Sequence, residues 1–423
     1  MEICLQKYTS DKSVILLNSQ TERWIKVNRE KYEKLDEASI KKLVETYGLT
    51  RKTEKKREIN SVYLFLTHHC NMACDFCFLQ CSPNIEIEKD FDTEKIMKYY
   101  NLLCSSPETK LVVTGGEPLS RLDIKDILRS LSEKVGKERI ILQTNGLLLN
   151  EEKLSQIKDY IGCIEMSIEN VVRDEKLRNT MEKRYAAINA MGCVLSFSYV
   201  IDSDSEEYLK AALELADKYD AYFQMRFVEP LGNGAGYSLD MWENLDVLMK
   251  KSYLTFLDYV IDNKGFERRY STVIDNALIP REKCGGYGEV AALHPNGDLF
   301  PCGNIVDEKM RLANLEEEEN IDTSYYDRSD VKSRFVTGEK KECSNCDYLF
   351  FCNGICGAID RKYEHFSAYK KSTCRMKKDL LYFGMFVKKD SWNREEYFRN
   401  YREFLKNDDM KKMVKRDVEK ICI

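Results

Sequence analysis

The sequence has few prolines and glycines, seven and twenty in 423 residues. That scarcity leaves little room for long disordered tracts. No stretch is long and apolar enough to read as a membrane span. The first residues, MEICLQKYTSDKS, lack a basic region followed by an apolar run, so no secretory signal is expected and the expected compartment is the cytoplasm. A net charge of −5 gives no general drive toward nucleic acid or anionic lipid. Histidine is scarce too, with four residues. Cysteine is not: there are sixteen. In a long chain without a signal, clustered thiols point to metal binding or redox chemistry rather than disulfides. Thiolate-rich, imidazole-poor sites favour iron–sulfur clusters or four-cysteine zinc.

With 43% apolar and 32% charged residues, the chain reads as globular and has length for two or three domains. Residues 1–49 read as a small α+β unit. Its strands are Ile3–Tyr8, Val14–Leu17 and Arg23–Val27, followed by helices near 29–36 and 39–47 that end before Gly48. The basic run Arg51–Arg57 reads as a solvated linker. From 61 to about 228, short apolar runs alternate with helical stretches. The runs are Val62–Leu66, Leu111–Val113, Arg139–Gln143, Cys163–Ile168, Val194–Val200 and Tyr222–Val228. The helical stretches lie near 92–104, 123–134, 151–160, 181–191 and 205–219. Such alternation predicts parallel β/α units. Six strands are too few for a closed eight-stranded barrel, so the expected fold is α/β, a partial (β/α)6 TIM-like barrel. Chemistry in such folds sits at the C-terminal ends of the strands. A helix is expected over 240–264, a loop-rich segment over 284–374, and Lys-rich helical structure over 376–420. The expected domains are 1–50, 61–230, a helical linker 231–283, 284–374, and a helical 375–423.

Cys70, Cys74 and Cys77 form a C-x-x-x-C-x-x-C loop directly after the first barrel strand. Three thiolates can hold three irons of a four-iron cluster and leave the fourth open to a substrate. Phe76 and Phe78 would shield it from water. The competing reading is zinc with a fourth ligand from Cys81, His68 or His69. At the end of the second strand comes Thr114-Gly115-Gly116-Glu117-Pro118, where glycines permit close backbone approach and Glu117 offers a carboxylate to an ammonium group.

These motifs resemble the radical S-adenosylmethionine (SAM) superfamily over roughly 61–228. The resemblance implies that Cys70, Cys74 and Cys77 bind a [4Fe-4S] cluster whose open iron chelates the amino and carboxylate groups of SAM. Gly115, Gly116, Glu117 and Pro118 would contact the SAM amino group. Ser167, in Glu165-Met-Ser-Ile-Glu169-Asn170, matches a family position that contacts SAM, though Glu169 and Asn170 replace the usual Asp and Gly. Arg178 matches an arginine that helps hold SAM. An exposed helix-start arginine is its plain alternative. The implied chemistry is reductive cleavage of SAM to methionine and a 5′-deoxyadenosyl radical, which abstracts a hydrogen from an unactivated carbon. The protein positions the reactants and excludes water. A small electron donor such as flavodoxin or ferredoxin is the implied redox partner.

Seven more cysteines fall between 284 and 374. Cys284 and Cys302 flank a hairpin formed by Val290–Leu293, the turn His294-Pro-Asn-Gly297-Asp, and Leu299-Phe300. Cys343, Cys346, Cys352 and Cys356 follow in C-x2-C-x5-C-x3-C, and Cys374 closes the set. A zinc ribbon explains four of these at most. The spacing, with Gly297 five residues before Cys302, resembles the SPASM extension, which holds two auxiliary [4Fe-4S] clusters. By that resemblance Cys343, Cys346, Cys352 and Cys374 bind one. Cys284, Cys302 and Cys356 bind the other, whose fourth ligand the sequence does not identify. The remaining cysteines, Cys4, Cys81, Cys104, Cys163, Cys193 and Cys422, are expected to be inert buried thiols, with Cys81 the candidate for a role beside the catalytic loop.

SPASM enzymes mostly modify peptides. The N-terminal unit resembles the small domain that takes a leader peptide as an added strand in maturases of ribosomally made peptides. A simple cap on the barrel is the alternative. The leading expectation is therefore a maturase that installs a thioether or carbon–carbon crosslink on a precursor peptide. An anaerobic sulfatase maturase, making formylglycine, is the second reading. It is disfavoured by Gly303-Asn304, where those enzymes place an acid after the second SPASM cysteine. A non-catalytic metal-binding protein is the third, and the Gly-Gly-Glu-Pro turn argues against it.

Overall fold

A computed structural model describes residues 2–50, 58–85, 91–103, 108–268, 270–271, 278–317, 321, 323–407 and 414–422. The basic run at 51–57 and Cys104 lie outside the described residues. Three antiparallel strands open the chain: β1 (Glu2–Thr9), β2 (Ser13–Asn18) and β3 (Arg23–Asn28). Helices Arg29–Tyr32 and Glu37–Thr46 follow, the second started by Asp36, which accepts from the Ser39 N–H.

The barrel strands come next: β4 (Ser61–Phe65), β5 (Lys110–Thr114), β6 (Ile140–Thr144), β7 (Cys163–Ser167), β8 (Val194–Ile201) and β9 (Tyr222–Phe227). They pair in parallel in sequence order. Helices connect them, as parallel pairing requires. The helix Ile124–Val135 buries Ile124, Ile127, Leu128, Leu131 and Val135, an apolar stripe of helical period. The strands read with period two. Leu195, Phe197, Tyr199 and Ile201 of β8 lie buried in the core. Ser198 and Val200, on the alternate positions, line a central cavity. This is the expected partial barrel.

Four more strands extend the sheet. A short β10 (Tyr270–Ser271) joins β9 in parallel. At the other edge lie β11 (Val290–Leu293), β12 (Asp298–Phe300) and β13 (Ala313–Asn314). β11 pairs in parallel with β4, and β11 and β12 form the expected hairpin, Ala292 opposite Phe300. The cysteine-rich segment is thus stitched directly onto the barrel.

The C-terminal region departs from expectation. Helices Phe366–Tyr382 and Arg394–Lys406 are present, but the chain ends in β14 (Lys415–Cys422) instead of helix. β14 pairs antiparallel with β1, from Glu2 opposite Cys422 to Thr9 opposite Lys415. Its charged composition hides a strand that forms because β1 offers an open edge. The helix expected at 181–191 also begins earlier, at Glu175, because Asp174 caps it by accepting from the Leu177 N–H.

Candidate active site

β5 to β9 deliver residues from their C-terminal halves, and the loop after β4 its cysteines, to one cavity of about 300 Å³, large enough to take a small-molecule ligand. Cys70, Cys74 and Cys77 line one wall, with Phe76, Phe78 and Cys81. Two neighbouring elements hold this loop. The Asn233 N–H donates to the Cys77 carbonyl at 2.9 Å, and the Asn233 amide donates to the Cys74 carbonyl at 2.9 Å. The Gly115-Gly116 turn docks from the other side. Gly116 and Glu117 donate their N–H groups to the Thr67 and His69 carbonyls, each at 2.8 Å. A side chain at Gly115 would strike the Thr67 carbonyl, and one at Gly116 the His69 carbonyl. The Gly-Gly pair is therefore what lets β5 deliver its turn against the cysteine loop.

The loop thiols sit close enough to influence one another. Burial pushes Cys70 up and Cys74 up to about 12, with neighbouring thiols adding to the effect. The Cys81 thiol donates to the Cys77 sulfur and so favours the Cys77 thiolate. A bound metal would reverse the first two shifts, since a coordinated thiol is deprotonated. His69 bonds within the loop region, and His68 reaches the hairpin of the cysteine-rich segment. His68 Nε2 meets His294 Nδ1 at 2.8 Å, and His69 Nδ1 donates to the Ile85 carbonyl at 2.9 Å.

Gly115, Gly116 and Ser167 line the cavity. Three other expected contacts differ. Glu117 is fully buried and turned inward. Its carboxylate accepts from the Leu119 N–H at 3.0 Å, the Thr144 hydroxyl at 2.7 Å and the Asn145 N–H at 2.9 Å. Burial still holds its pKa above the ordinary carboxylate value. Its side chain fastens β5 to β6 rather than facing the cavity. Pro118 is buried in the turn that follows, which it initiates. Arg178 lies in the first turn of the helix Glu175–Ala190, and Leu177 beside it reaches the cavity instead.

Sequence reasoning passed over the cavity residues Asn145 and Glu229, and quoted Glu165 and Glu169 only as flanks of Ser167. Asn145, at the end of β6, donates to the Asn71 side chain at 2.7 Å and approaches the Cys70 sulfur at 3.9 Å. Glu169 is buried and accepts from the Val200 N–H at 2.6 Å; burial lifts it to about 7. Glu165 accepts from the Gln143 amide at 2.9 Å and pairs with Arg226 at 3.3 Å. Glu229 follows β9 and is raised by burial, next to Lys377, Arg226 and Tyr369. The signal for Asn145, Glu169 and Glu229 was their place just past strand C-terminal ends, whereas Glu165 sits mid-strand in β7.

The second cysteine group divides in two. Cys343, Cys346, Cys352 and Cys374 are electrostatic neighbours. Cys284, Cys302 and Cys356 form a separate neighbourhood, and Glu229 borders it. Asn304, two residues past Cys302, lines the same cavity as Cys70. The thiol donor sets, the flanking glycines and the cavity volume fit thiolate-ligated clusters with a nucleoside-sized ligand. Among the described residues no three His, Cys, Asp or Glu side chains are placed to share one metal ion. A four-iron cluster spreads its thiolates over separate irons.

Residues 64–216 match the Radical SAM superfamily. The barrel is a radical SAM domain. The family implies a [4Fe-4S] cluster and SAM. Among curated relatives, the chain is similar to the GTP 3′,8-cyclase of Staphylococcus carnosus, 24% identical over 57% of this chain and 69% of that one. It is similar also to the serine-type anaerobic sulfatase-maturating enzyme of Bacteroides thetaiotaomicron, 23% identical over 68% and 80%. Among solved structures, Streptococcus suis SuiB bound to precursor peptide SuiA shares the fold. Its TM-score is 0.51 at 15% identity, covering 84% of this chain and 95% of that one. No helix of the described residues is long and apolar enough to cross a membrane.

Proposed function

We propose that this radical SAM enzyme is a peptide maturase that installs an intramolecular thioether or carbon–carbon crosslink on a ribosomally made precursor. The observation that carries the reading is one continuous cavity. It runs from the Cys70, Cys74 and Cys77 loop to Glu229 and Asn304, beside the Cys284, Cys302 and Cys356 set. A substrate held there would touch a radical-generating end and an electron-accepting end at once. Cys70, Cys74 and Cys77 would hold the SAM-binding cluster, with Gly115, Gly116 and Ser167 against SAM. Cys343, Cys346, Cys352 and Cys374 would hold one auxiliary cluster, and Cys284, Cys302 and Cys356 the other. When bound, the reduced SAM-binding cluster and SAM supply a 5′-deoxyadenosyl radical. The chain encloses the reacting atoms with Phe76, Phe78 and Leu231, and offers Glu229, half-buried at the cavity wall, as an acceptor for a departing proton. Crosslinking removes two hydrogens from the peptide: one as an atom, the other as a proton and an electron.

The N-terminal sheet supports a peptide substrate. Among the described residues β3 pairs with β2 alone, so its other edge is open. A groove of about 990 Å³ runs along Trp24, Lys26 and Val27 toward Leu278 and Trp392. An extended leader peptide adds to such an edge through main-chain hydrogen bonds. SuiB, solved with a precursor peptide, has this overall fold. Formylglycine formation is the second reading, favoured by the sulfatase-maturating relative. It lacks an acid at Gly303 or Asn304, and the carboxylates that line the cavity are those of Glu165, Glu169 and Glu229.

The test is anaerobic reaction with SAM, a one-electron donor such as flavodoxin or ferredoxin, and a precursor peptide encoded beside the gene. Mass spectrometry should find the peptide lighter by two hydrogens, with 5′-deoxyadenosine released. An unchanged peptide alongside consumption of GTP would replace this reading with the chemistry of the cyclase relatives. An aldehyde on a sulfatase peptide would favour the second reading.

A further inference from the structure

Lys340 is one of the most buried charged residues in the molecule, 2% exposed. Its Nζ donates to the Asn353 carbonyl at 2.7 Å and the Ile355 carbonyl at 2.9 Å. Those carbonyls belong to the short turn between Cys352 and Cys356. Asn353 and Gly354 both adopt positive φ there, 60° and 71°, which folds the turn around the lysine. A Cβ added at Gly354 would lie 2.8 Å from Lys340 Cδ and 3.3 Å from the Cys343 sulfur. The lysine stem and Cys343 therefore share one small space.

Among the described residues no carboxylate forms an ion pair with Lys340. Burial pulls Lys340 below the ordinary lysine value, and the neighbouring Cys284, Cys356 and Cys343 work against that shift while Arg361 adds to it. An ammonium taken out of water is costly unless an anion compensates it. The groups at hand that could carry such a charge are thiols, and they come from both cysteine sets: Cys343 from one, Cys284 and Cys356 from the other. Thiolate-ligated clusters would supply that negative charge. A second cation, Arg361, donates to the Cys356 and Ile359 carbonyls but also pairs with Glu342 at 2.8 Å. Among the described residues Lys340 has no such carboxylate; its Nζ is held by the two carbonyls of the turn that links Cys352 to Cys356.

We propose that Lys340 is a shared counter-charge for the two auxiliary cysteine sets, favouring the reduced state of the clusters they hold. This rests on the reading that both sets bind iron–sulfur clusters. Accepting one electron adds one negative charge and changes no bond, and a fixed cation nearby stabilises that added charge. Lys340 is then a positioning residue for electrons. It makes the auxiliary pair a better acceptor for the electron that leaves the substrate.

The test uses the full chain, reconstituted anaerobically, with three variants. Lys340→Arg keeps the charge, Lys340→Gln keeps a donor without charge, and Lys340→Met keeps neither. Iron is counted, and the auxiliary signals are followed by EPR-monitored redox titration without SAM turnover. Lys340→Gln and Lys340→Met should lower the reduced-to-oxidised ratio of an auxiliary cluster about tenfold at fixed potential, about 59 mV for a one-electron couple. Lys340→Arg should stay near the wild-type ratio. Loss of auxiliary iron from both neutral variants, with retention in Lys340→Arg, would equally support a required charge. Full iron with an unmoved ratio in Lys340→Gln would overturn the proposal. So would loss of iron from all three, which would assign the residue to packing. A wild-type protein holding about four irons instead of about twelve would sink the cluster reading itself, whatever the variants do.

Discussion

Glu117 concentrates three hydrogen bonds on one buried carboxylate: one closes the turn after β5, and two join that turn to the end of β6. Replacing it with alanine leaves two N–H groups and a hydroxyl unpaired out of reach of water. The expected loss is on the order of 3 kcal/mol, read as a lower denaturation midpoint. Glu117→Gln should lose less, since the amide oxygen still accepts. An unshifted midpoint in Glu117→Ala would show the carboxylate is not the fastening described. His294 makes a second residue-scale prediction. Burial, then the adjacent His68, pulls it down to about 3 from the ordinary 6.5. The unfolded chain takes up this proton near pH 6.5 and the folded chain near pH 3. Stability from this group is thus full above pH 6.5 and drains away as pH falls toward 3. Between pH 7 and pH 5 the loss is about 2 kcal/mol. His294→Phe keeps a ring stacked on Phe65 and removes the titration, so its midpoint should fall less steeply with acid. Equal slopes would contradict the assignment.

At the scale of elements, β14 is a strand that closes a sheet begun at the other end of the chain. It is anchored twice to the cysteine-rich segment: Arg416 donates its N–H to Asp347 at 3.2 Å and its guanidinium to the Ser344 carbonyl at 2.6 Å. Truncation before Val414 should bare the β1 edge. Hydrogen exchange at Cys4–Tyr8 should rise at least tenfold while barrel amides keep their protection. Unchanged exchange would mean that β14 is not required there. This element also marks where the sequence stops being legible. The six barrel strands were readable because their apolar runs are bounded by turns and separated by helices. β14 was not, since Lys415-Arg416-Asp417 and Glu419-Lys420 carry no apolar alternation and the strand exists only by pairing with distant β1. The extra edge strands β10 and β13 are two residues long and leave no periodic trace. At the site, cysteines and glycines were legible from spacing. Asn145 and Glu229 were not, because single polar residues at strand ends have no pattern until the strands are aligned. The inward turn of Glu117 was equally hidden, since it depends on donors from β6 that lie 27 residues and more away in sequence.

For the whole molecule, one sheet of ten strands joins the barrel to the hairpin of the cysteine-rich segment. That continuity puts the Cys70 loop and the Cys302 neighbourhood on one cavity. The measurement that tests this account most directly is SAM cleavage by the anaerobically reconstituted chain, set against a Cys70→Ala, Cys74→Ala, Cys77→Ala variant. Wild type should release 5′-deoxyadenosine on reduction. The variant should release none, while keeping about two thirds of the iron. Deoxyadenosine from the variant at the wild-type rate would contradict the placement of the radical-forming site at the mouth of this barrel.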